Sequence, residues 1–199
     1  MKFSGYLLKA PHESCRPVGG FTLVEIMVTI LVLSILLGLA VPAFRSFMQN
    51  DQQWMQTSNL VLSLNAARSD AIKSDSAVGA EVCSSNTGLA CTGTAWNLGW
   101  IVLGADPATP GAAKVLQVVG ALPPGTTLTE ANNNTAIPFQ SNGALNAGLL
   151  ANPAKPVAFT MCDTRGVNFA RYLQVTLMGR VVASPNVGLD LTGAALPCP

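Results

Sequence analysis

The chain has 199 residues, of which 49% are apolar and 11% are charged, and its formal net charge is +1. This length suits one modest domain with an added segment. A near-neutral chain has no long-range field that would gather nucleic acid, so only a local cluster of cations could bind DNA.

The first two segments of the chain differ sharply in polarity. Residues 1–20 are hydrophilic and basic and end in a Gly-Gly pair, whereas residues 21–44 form an apolar run whose one charge is Glu25. At about 1.5 Å per residue, a helix over this run can cross a hydrocarbon layer of about 30 Å. A secretory signal is cut after its apolar core. A cut after Gly20 would instead remove the basic leader and make Phe21 the new terminus.

The sequence "GG-FTLVE", followed by an apolar helix, resembles the class III signal of type IV pilins and type II secretion pseudopilins. The resemblance implies cleavage between Gly20 and Phe21 by a membrane-embedded prepilin peptidase and N-methylation of Phe21. It makes Glu25 the family's characteristic glutamate at the fifth mature position, and it aligns Pro42 with the helix-breaking proline near the end of the pilin membrane span. A lone carboxylate in hydrocarbon costs several kcal/mol, so an amine at Phe21 of a neighbouring subunit would pair with Glu25. The alternative is an ordinary anchor that tolerates a glutamate.

Beyond the apolar run, the spacing predicts that residues 45–75 continue the helix as an amphipathic half ending near Ser74. Trp54 and Met55 are expected to pack in the core. The predicted apolar stripe consists of Phe47, Trp54, Val61, Leu64 and Ala71.

Residues 76–199 are predicted to form a separate, mainly antiparallel β domain, because β-branched and aromatic runs alternate with Gly, Pro and Asn. Segments 122–128 and 131–135 are expected to be turns. The fold class is therefore α+β and pilin-like, a long N-terminal helix packed on a small β domain. The predicted strands are 77–83, 98–104, 114–120, 136–140, 156–162 and 171–177.

The β segments resemble a narrower family. "TAWNLGWIVL" (94–103), "IPFQSNGALN" (137–146) and "VAFTMCDTRG" with "RYLQVTLMGRV" (157–181) are similar to strands of the GspH/FimT pseudopilin domain, which includes minor pilins of the FimU and FimT type. With the N-terminal signal, the resemblance covers most of residues 19–182. Trp96 and Trp100 are expected to be structural.

Four cysteines beyond the apolar run fit an oxidising compartment and two disulfides. Spacing suggests Cys83–Cys91 and Cys162–Cys198, although four cysteines allow three pairings. A metal site is the rival interpretation. No C-x-x-C pair occurs and the one histidine, His12, lies in the leader, so neither a metal nor another cofactor is expected.

The sequence offers little for catalysis. Without a histidine after the leader, Ser-His-Asp and Cys-His sites are excluded, and no phosphate-binding glycine loop is present. No enzyme is expected.

A basic group is the one other functional candidate. Arg165, Arg171 and Arg180, with Lys155 nearby in sequence, could contact DNA, and the resemblance implies a Gly-Arg-x-Arg motif in DNA-binding relatives. This chain has Gly179-Arg180-Val181-Val182, without the second arginine. The alternative is a β-turn at Gly179-Arg180 with a solvated arginine.

The resemblance implies a minor pilin of a type IV pilus that helps to prime assembly at or near the tip. Its expected partners are other minor and major pilins or pseudopilins, the prepilin peptidase, the inner-membrane assembly platform and, before assembly, membrane lipid. It would be a single-pass inner-membrane protein with a periplasmic C-terminal domain, later moved into the pilus or pseudopilus. The alternatives are a GspH-like pseudopilin of type II secretion and a FimT-like DNA-binding minor pilin.

Overall fold

A computed structural model of the chain describes residues 20–74, 79–106, 108–109 and 111–198. Of the predicted leader, only Gly20 falls within these residues. The chain divides into two compact units, Met1–Ser46 and Phe47–Pro199.

Helix α1 runs from Leu23 to Ser74, a length of 52 residues, and it ends where the sequence predicts. Pro42 lies inside the helix, which continues through it as one element, and the unwinding at this proline that the resemblance implies for filaments stays a prediction. Proline removes one backbone hydrogen bond, but the long runs of helix on both sides keep the remaining bonds in register.

The buried face of α1 differs from the predicted stripe. Leu64 and Ala71 are buried as predicted, but Trp54 is 60% exposed, and Met55 and Phe47 are exposed as well. The core interpretation of Trp54 and Met55 is therefore wrong. A spacing of seven residues defines a line along a helix but not which of the neighbouring lines faces the core. The buried line consists of Gln53, Leu60, Ser63, Leu64, Ala67 and Ala71.

In the described part of the chain, eight strands form two four-stranded antiparallel sheets. Sheet A has the order β3-β2-β1-β5, and sheet B has the order β4-β6-β7-β8. The strands are β1 (Ala80–Ser84), β2 (Trp100–Ala105), β3 (Ala113–Val119), β4 (Thr127–Glu130), β5 (Ala136–Phe139), β6 (Val157–Cys162), β7 (Arg171–Val175) and β8 (Val181–Ala183).

Two strands fall where the sequence predicts none. Strand β4 occupies part of the supposedly turn-rich region, and its residues Leu128 and Glu130 are buried against β6. Strand β8 has three residues and pairs with β7. Both are edge strands, and pairing with a buried neighbour forms them despite weak local signals.

One hydrophobic core joins the second half of α1 to both sheets. The Trp100 indole N–H donates to Ser63 Oγ on α1 at 3.0 Å, and the Trp96 ring meets the edge of Phe159 with centroids 4.9 Å apart. Both tryptophans are buried, so the prediction that they are structural is confirmed.

Both disulfides suggested by spacing are present, Cys83–Cys91 and Cys162–Cys198, with Cα separations of 5.5 and 5.8 Å. The second one holds the C-terminal segment on sheet B, where Cys162 and Leu196 form a small separate cluster with Ala170. Cys162, the last residue of the fully buried strand β6, is covered by this cluster, whereas Val157, Phe159 and Met161 belong to the main core.

Candidate assembly surfaces

Helix α1 begins with a local cap. The Glu25 backbone N–H donates to Thr22 Oγ1 at 3.2 Å, and the Ile26 N–H donates to the Thr22 carbonyl at 3.2 Å. Thr22 is therefore the N-cap and Glu25 the third residue of the first turn, the spacing of a capping box. A carboxylate in the first turn is also stabilised by the helix dipole. The signal is present in the sequence as T-L-V-E, residues 22–25.

The apolar segment of α1 lies uncovered. It is long and apolar enough to span a membrane, and its most apolar stretch buries none of its residues against the rest of the structure. Within the described part of the chain the Glu25 carboxylate forms no ion pair. Such a surface needs lipid or other helices around it.

Of the three candidate DNA-binding arginines, Arg165 is fully engaged within the fold. Its Nη2 atom lies 2.6 Å from Asp163 Oδ2, its Nη1 atom donates to Asn50 Oδ1 at 2.7 Å, and its guanidinium stacks on the Phe169 ring at 4.1 Å. These contacts neutralise the charge and fix the side chain, so Arg165 offers little to a phosphate.

Arg171 and Arg180 lie near opposite ends of β7. Arg171 is the first residue of β7, whereas Arg180 precedes β8 in the turn that follows Val175. At about 3.4 Å per strand residue their backbones are on the order of 15 Å apart. The structure therefore does not gather the predicted cations into one patch.

The Gly179-Arg180 segment forms the β-turn of the alternative interpretation. The Gly179 N–H donates to the Thr176 carbonyl at 2.7 Å, the Thr176 N–H donates to the Arg180 carbonyl at 2.9 Å, and Arg180 is exposed. Gly179 has a φ of +74°, and a Cβ there would collide with the Gly143 carbonyl. Its glycine is required by the turn itself.

Arg68, which the sequence analysis did not single out, fixes this turn to α1. Its Nε atom donates to the Gly143 carbonyl at 2.9 Å and its Nη2 atom to the Met178 carbonyl at 3.3 Å. Two loops far apart in sequence are thereby held by one side chain. No local pattern could have indicated these partners.

Glu130 organises a second buried network that the sequence analysis missed. Its carboxylate accepts the backbone N–H groups of Asn132, Asn134 and Ala158 at 2.9, 2.6 and 3.3 Å, and the Asn134 side-chain amide at 3.1 Å. Asn134 in turn accepts the Trp96 indole N–H at its carbonyl, at 2.8 Å. The Asn132 side-chain amide also donates to Oε1, at 3.5 Å. These five donors explain how a carboxylate can be buried without a cation.

A groove between α1 and the β7–β8 pair carries exposed apolar side chains. It encloses about 680 Å³, with Trp54, Leu62, Arg171 and Tyr172 among its lining residues. Trp54 and Leu62 are largely exposed, and the buried Arg171 Nε has no hydrogen-bond partner among the described residues. The groove adds an uncovered apolar surface in the β-sheet unit, of the kind that contacts between subunits bury.

The Glu81 carboxylate lies close to the sulfurs of Cys83 and Cys91, near enough to suggest a metal centre. The two sulfurs are joined in a disulfide, and a metal needs thiolates. This cluster therefore does not fit a metal ion.

Comparison with known proteins gives two matches to protein families. The family described as "Type II transport protein GspH" matches residues 56–179, and the "Prokaryotic N-terminal methylation motif" matches residues 15–41. No curated protein matches. Two crystal forms of the type IV minor pilin FimU of Pseudomonas aeruginosa (strain PAO1) are similar in structure, each with 20% identity; the alignments cover 68% and 65% of this chain and 91% and 92% of FimU, with TM-scores of 0.48 and 0.46.

Proposed function

Because this chain belongs to the GspH family and carries the N-terminal methylation motif, we propose that it is a minor pilin of a type IV pilus. Members of this family are structural subunits of the pilin and pseudopilin type, not enzymes. Such subunits are anchored in a membrane by their apolar N-terminal helix and assemble with other pilins. The finer proposal is that this chain joins other minor pilins at or near the pilus tip and helps to prime assembly.

The observation that carries the proposal is the uncovered apolar start of α1 with a carboxylate in its first turn. Cleavage between Gly20 and Phe21 gives a free amine, which is then methylated. In a filament, the Glu25 carboxylate of one subunit pairs with the Phe21 amine of its neighbour. The pairing removes most of the cost of holding a charge in an apolar surrounding, and it favours one axial register over the others.

We assign the segments of the chain accordingly. Residues 1–20 are the cleaved leader, 21–44 the membrane and filament-core helix, 45–75 the amphipathic half of the helix, and 76–199 the periplasmic β domain. Before assembly the protein sits in the inner membrane as a single-pass protein. Pro42 gives a place where the helix can unwind inside a filament, since one backbone hydrogen bond is already missing there.

A second candidate is a minor pseudopilin of type II secretion, favoured by the description of the matching family as a type II transport protein. The two candidates share the whole mechanism above and differ in the machine that the subunit serves. DNA uptake has less support, because the three arginines are not gathered and Arg165 is already paired.

Deletion of the chain, scored together for surface pili, protein secretion and transformation, separates the candidates. Loss of pili supports the proposal, whereas loss of secretion with normal pili supports the pseudopilin. Loss of transformation with normal pili and secretion supports the DNA receptor.

A point variant tests the mechanism. Glu25→Ala should insert into the membrane normally and be depleted from sheared filaments by about tenfold or more, as expected for loss of a buried charge pair. Asp51→Ala, which removes an exposed carboxylate of α1 outside the apolar segment, should assemble normally. Normal incorporation of Glu25→Ala, or an N-terminus that still begins at Met1, would contradict the mechanism.

A further inference from the structure

Glu81 interrupts an apolar row on one face of sheet A. In the register of β1 it lies directly opposite Leu103 of β2 on one side and Pro138 of β5 on the other. Residues paired in this way have Cβ atoms about 5 Å apart and share a face of the sheet. Trp100 and Val102, which alternate with Leu103, belong to the hydrophobic core. Glu81 therefore projects from the opposite face, between two apolar neighbours.

Nothing in the described part of the chain compensates this carboxylate. Its Oε1 atom lies 3.4 Å from Cys91 Sγ, but a disulfide sulfur carries no proton to donate. Glu81 forms no ion pair with any described residue. Partial burial raises the pKa of Glu81 above 4.5, because burial disfavours the charged form. Glu130, with five N–H donors, is the contrasting case in the same fold.

The Glu81 side chain lines a cleft of about 390 Å³ that opens to solvent. Leu103, Pro138 and Leu149 supply apolar walls, and Ser141 and Asn146 are among its polar lining residues. Leu149, in the short 3-10 helix Ala147–Leu149, is 69% exposed, so its apolar side chain is available to an incoming group. A carboxylate beside apolar walls matches one kind of ligand closely, a long apolar stem that ends in a cation.

We propose that this cleft, called here the Glu81 cleft, receives a lysine or arginine side chain of an adjoining pilin subunit. The inference rests on the proposed function, because it requires the chain to assemble beside other pilins. The stem of the incoming side chain packs on Leu103, Pro138 and Leu149, and its cationic head pairs with the Glu81 carboxylate. The pair forms on assembly and supplies the countercharge that the isolated subunit lacks. A wrong neighbour without a cation there would cover the half-buried carboxylate and leave it unpaired.

Photo-cross-linking of the full chain in cells that carry its assembly genes tests the proposal. p-Benzoylphenylalanine in place of Leu149 should give an adduct with another pilin, at a peptide that contains a lysine or arginine. Glu81→Lys should lower the yield of this adduct by about tenfold or more, since like charges across an interface repel strongly. Glu81→Gln should lower it less, and reversing the mapped cation to glutamate should restore the yield in the Glu81→Lys chain.

A matched probe at Phe47, an exposed residue of α1, separates two kinds of failure and also reports whether the variants fold and assemble. If Phe47 cross-links to pilins but position 149 does not, the Glu81 cleft proposal is wrong and the proposed function stands. An unchanged adduct in Glu81→Lys, or a mapped peptide without a cation, overturns the proposal as well. If neither position cross-links to a pilin, the proposed function fails and this inference with it.

Discussion

The Glu130 network gives the sharpest test of the fold. Glu130 is 7% exposed, and its Oε2 atom accepts three N–H groups, while Oε1 accepts the Ala158 N–H at 3.3 Å and, more weakly, the Asn132 side-chain amide at 3.5 Å. In Glu130→Gln the single amide oxygen can take the place of Oε2. The new NH₂ group then faces the buried Ala158 N–H, and neither donor has an acceptor.

The size of the effect follows from these contacts. An unsatisfied buried N–H costs about 1–3 kcal/mol, and bonds to a neutral oxygen are weaker than bonds to a charged one by about 1 kcal/mol each. Part of this loss is offset because a neutral amide is cheaper to bury than a carboxylate. We expect the free energy of unfolding to fall by about 2–4 kcal/mol, which lowers the Tm by roughly 5–15 °C in a chain of this size.

Denaturant unfolding of the full chain in detergent measures this change. Tryptophan fluorescence is a suitable probe because the Trp96 indole N–H bonds to the carbonyl of Asn134, which Glu130 holds. Asp51→Asn is the matched control, an exposed carboxylate for which we expect a change under about 0.5 kcal/mol. If Glu130→Gln unfolds within about 0.5 kcal/mol of the unaltered chain, with the same denaturant dependence, then the carboxylate does not organise this region.

Three further predictions concern stability. Because the pKa of Glu81 is raised in the folded chain, its contribution to stability is fully present below about pH 4.5 and is lost as pH rises through the folded pKa. Glu81→Gln should therefore gain stability relative to the unaltered chain as pH rises from 4 to 7. Parallel curves of stability against pH in unfolding experiments would refute this. Replacing Cys162 and Cys198 by serine should lower the free energy of unfolding by about 4 kcal/mol in the loop-entropy model, since the disulfide closes a loop with a sequence separation of 36 residues. Thermal unfolding measures the change, and a loss below about 1 kcal/mol would argue against the loop-entropy account. Gly179→Ala should lower the free energy of unfolding by about 1–3 kcal/mol, because Gly179 has a positive φ and its added Cβ would meet the Gly143 carbonyl. An unchanged Tm would show that the turn relaxes freely.

The helix and most strands were predictable because their signals are local. The apolar run, the change of period after Ser74 and the alternating β segments each depend on neighbouring residues. The phase of α1 was not predictable, because Gln53 and Trp54 lie on adjacent lines with the same spacing, and tertiary packing buries the polar one. Strand β4 was missed for a related reason, since its order comes from pairing with β6.

The candidate sites also divide into those indicated by local sequence and those that depend on strand pairing. Glu25 and Thr22 are indicated by a motif of four residues, and the two cysteine pairs by spacing. The surroundings of Glu81 depend on the register of three strands, which brings Leu103 and Pro138 beside it. The scattering of the arginines has the same origin, because residues close in sequence are carried to opposite ends of β7.

The cap at Thr22 also determines how the proposed processing site meets its peptidase. Helix α1 starts at Leu23, so Gly20, Phe21 and Thr22 precede its first turn. The proposed scissile bond before Phe21 therefore lies outside the helix and would need no local unwinding to enter the active-site cleft of a peptidase. A helix extended backwards by one turn would shield that bond from hydrolysis. The Thr22 hydroxyl thus fixes the start of the helix two residues after the proposed cut.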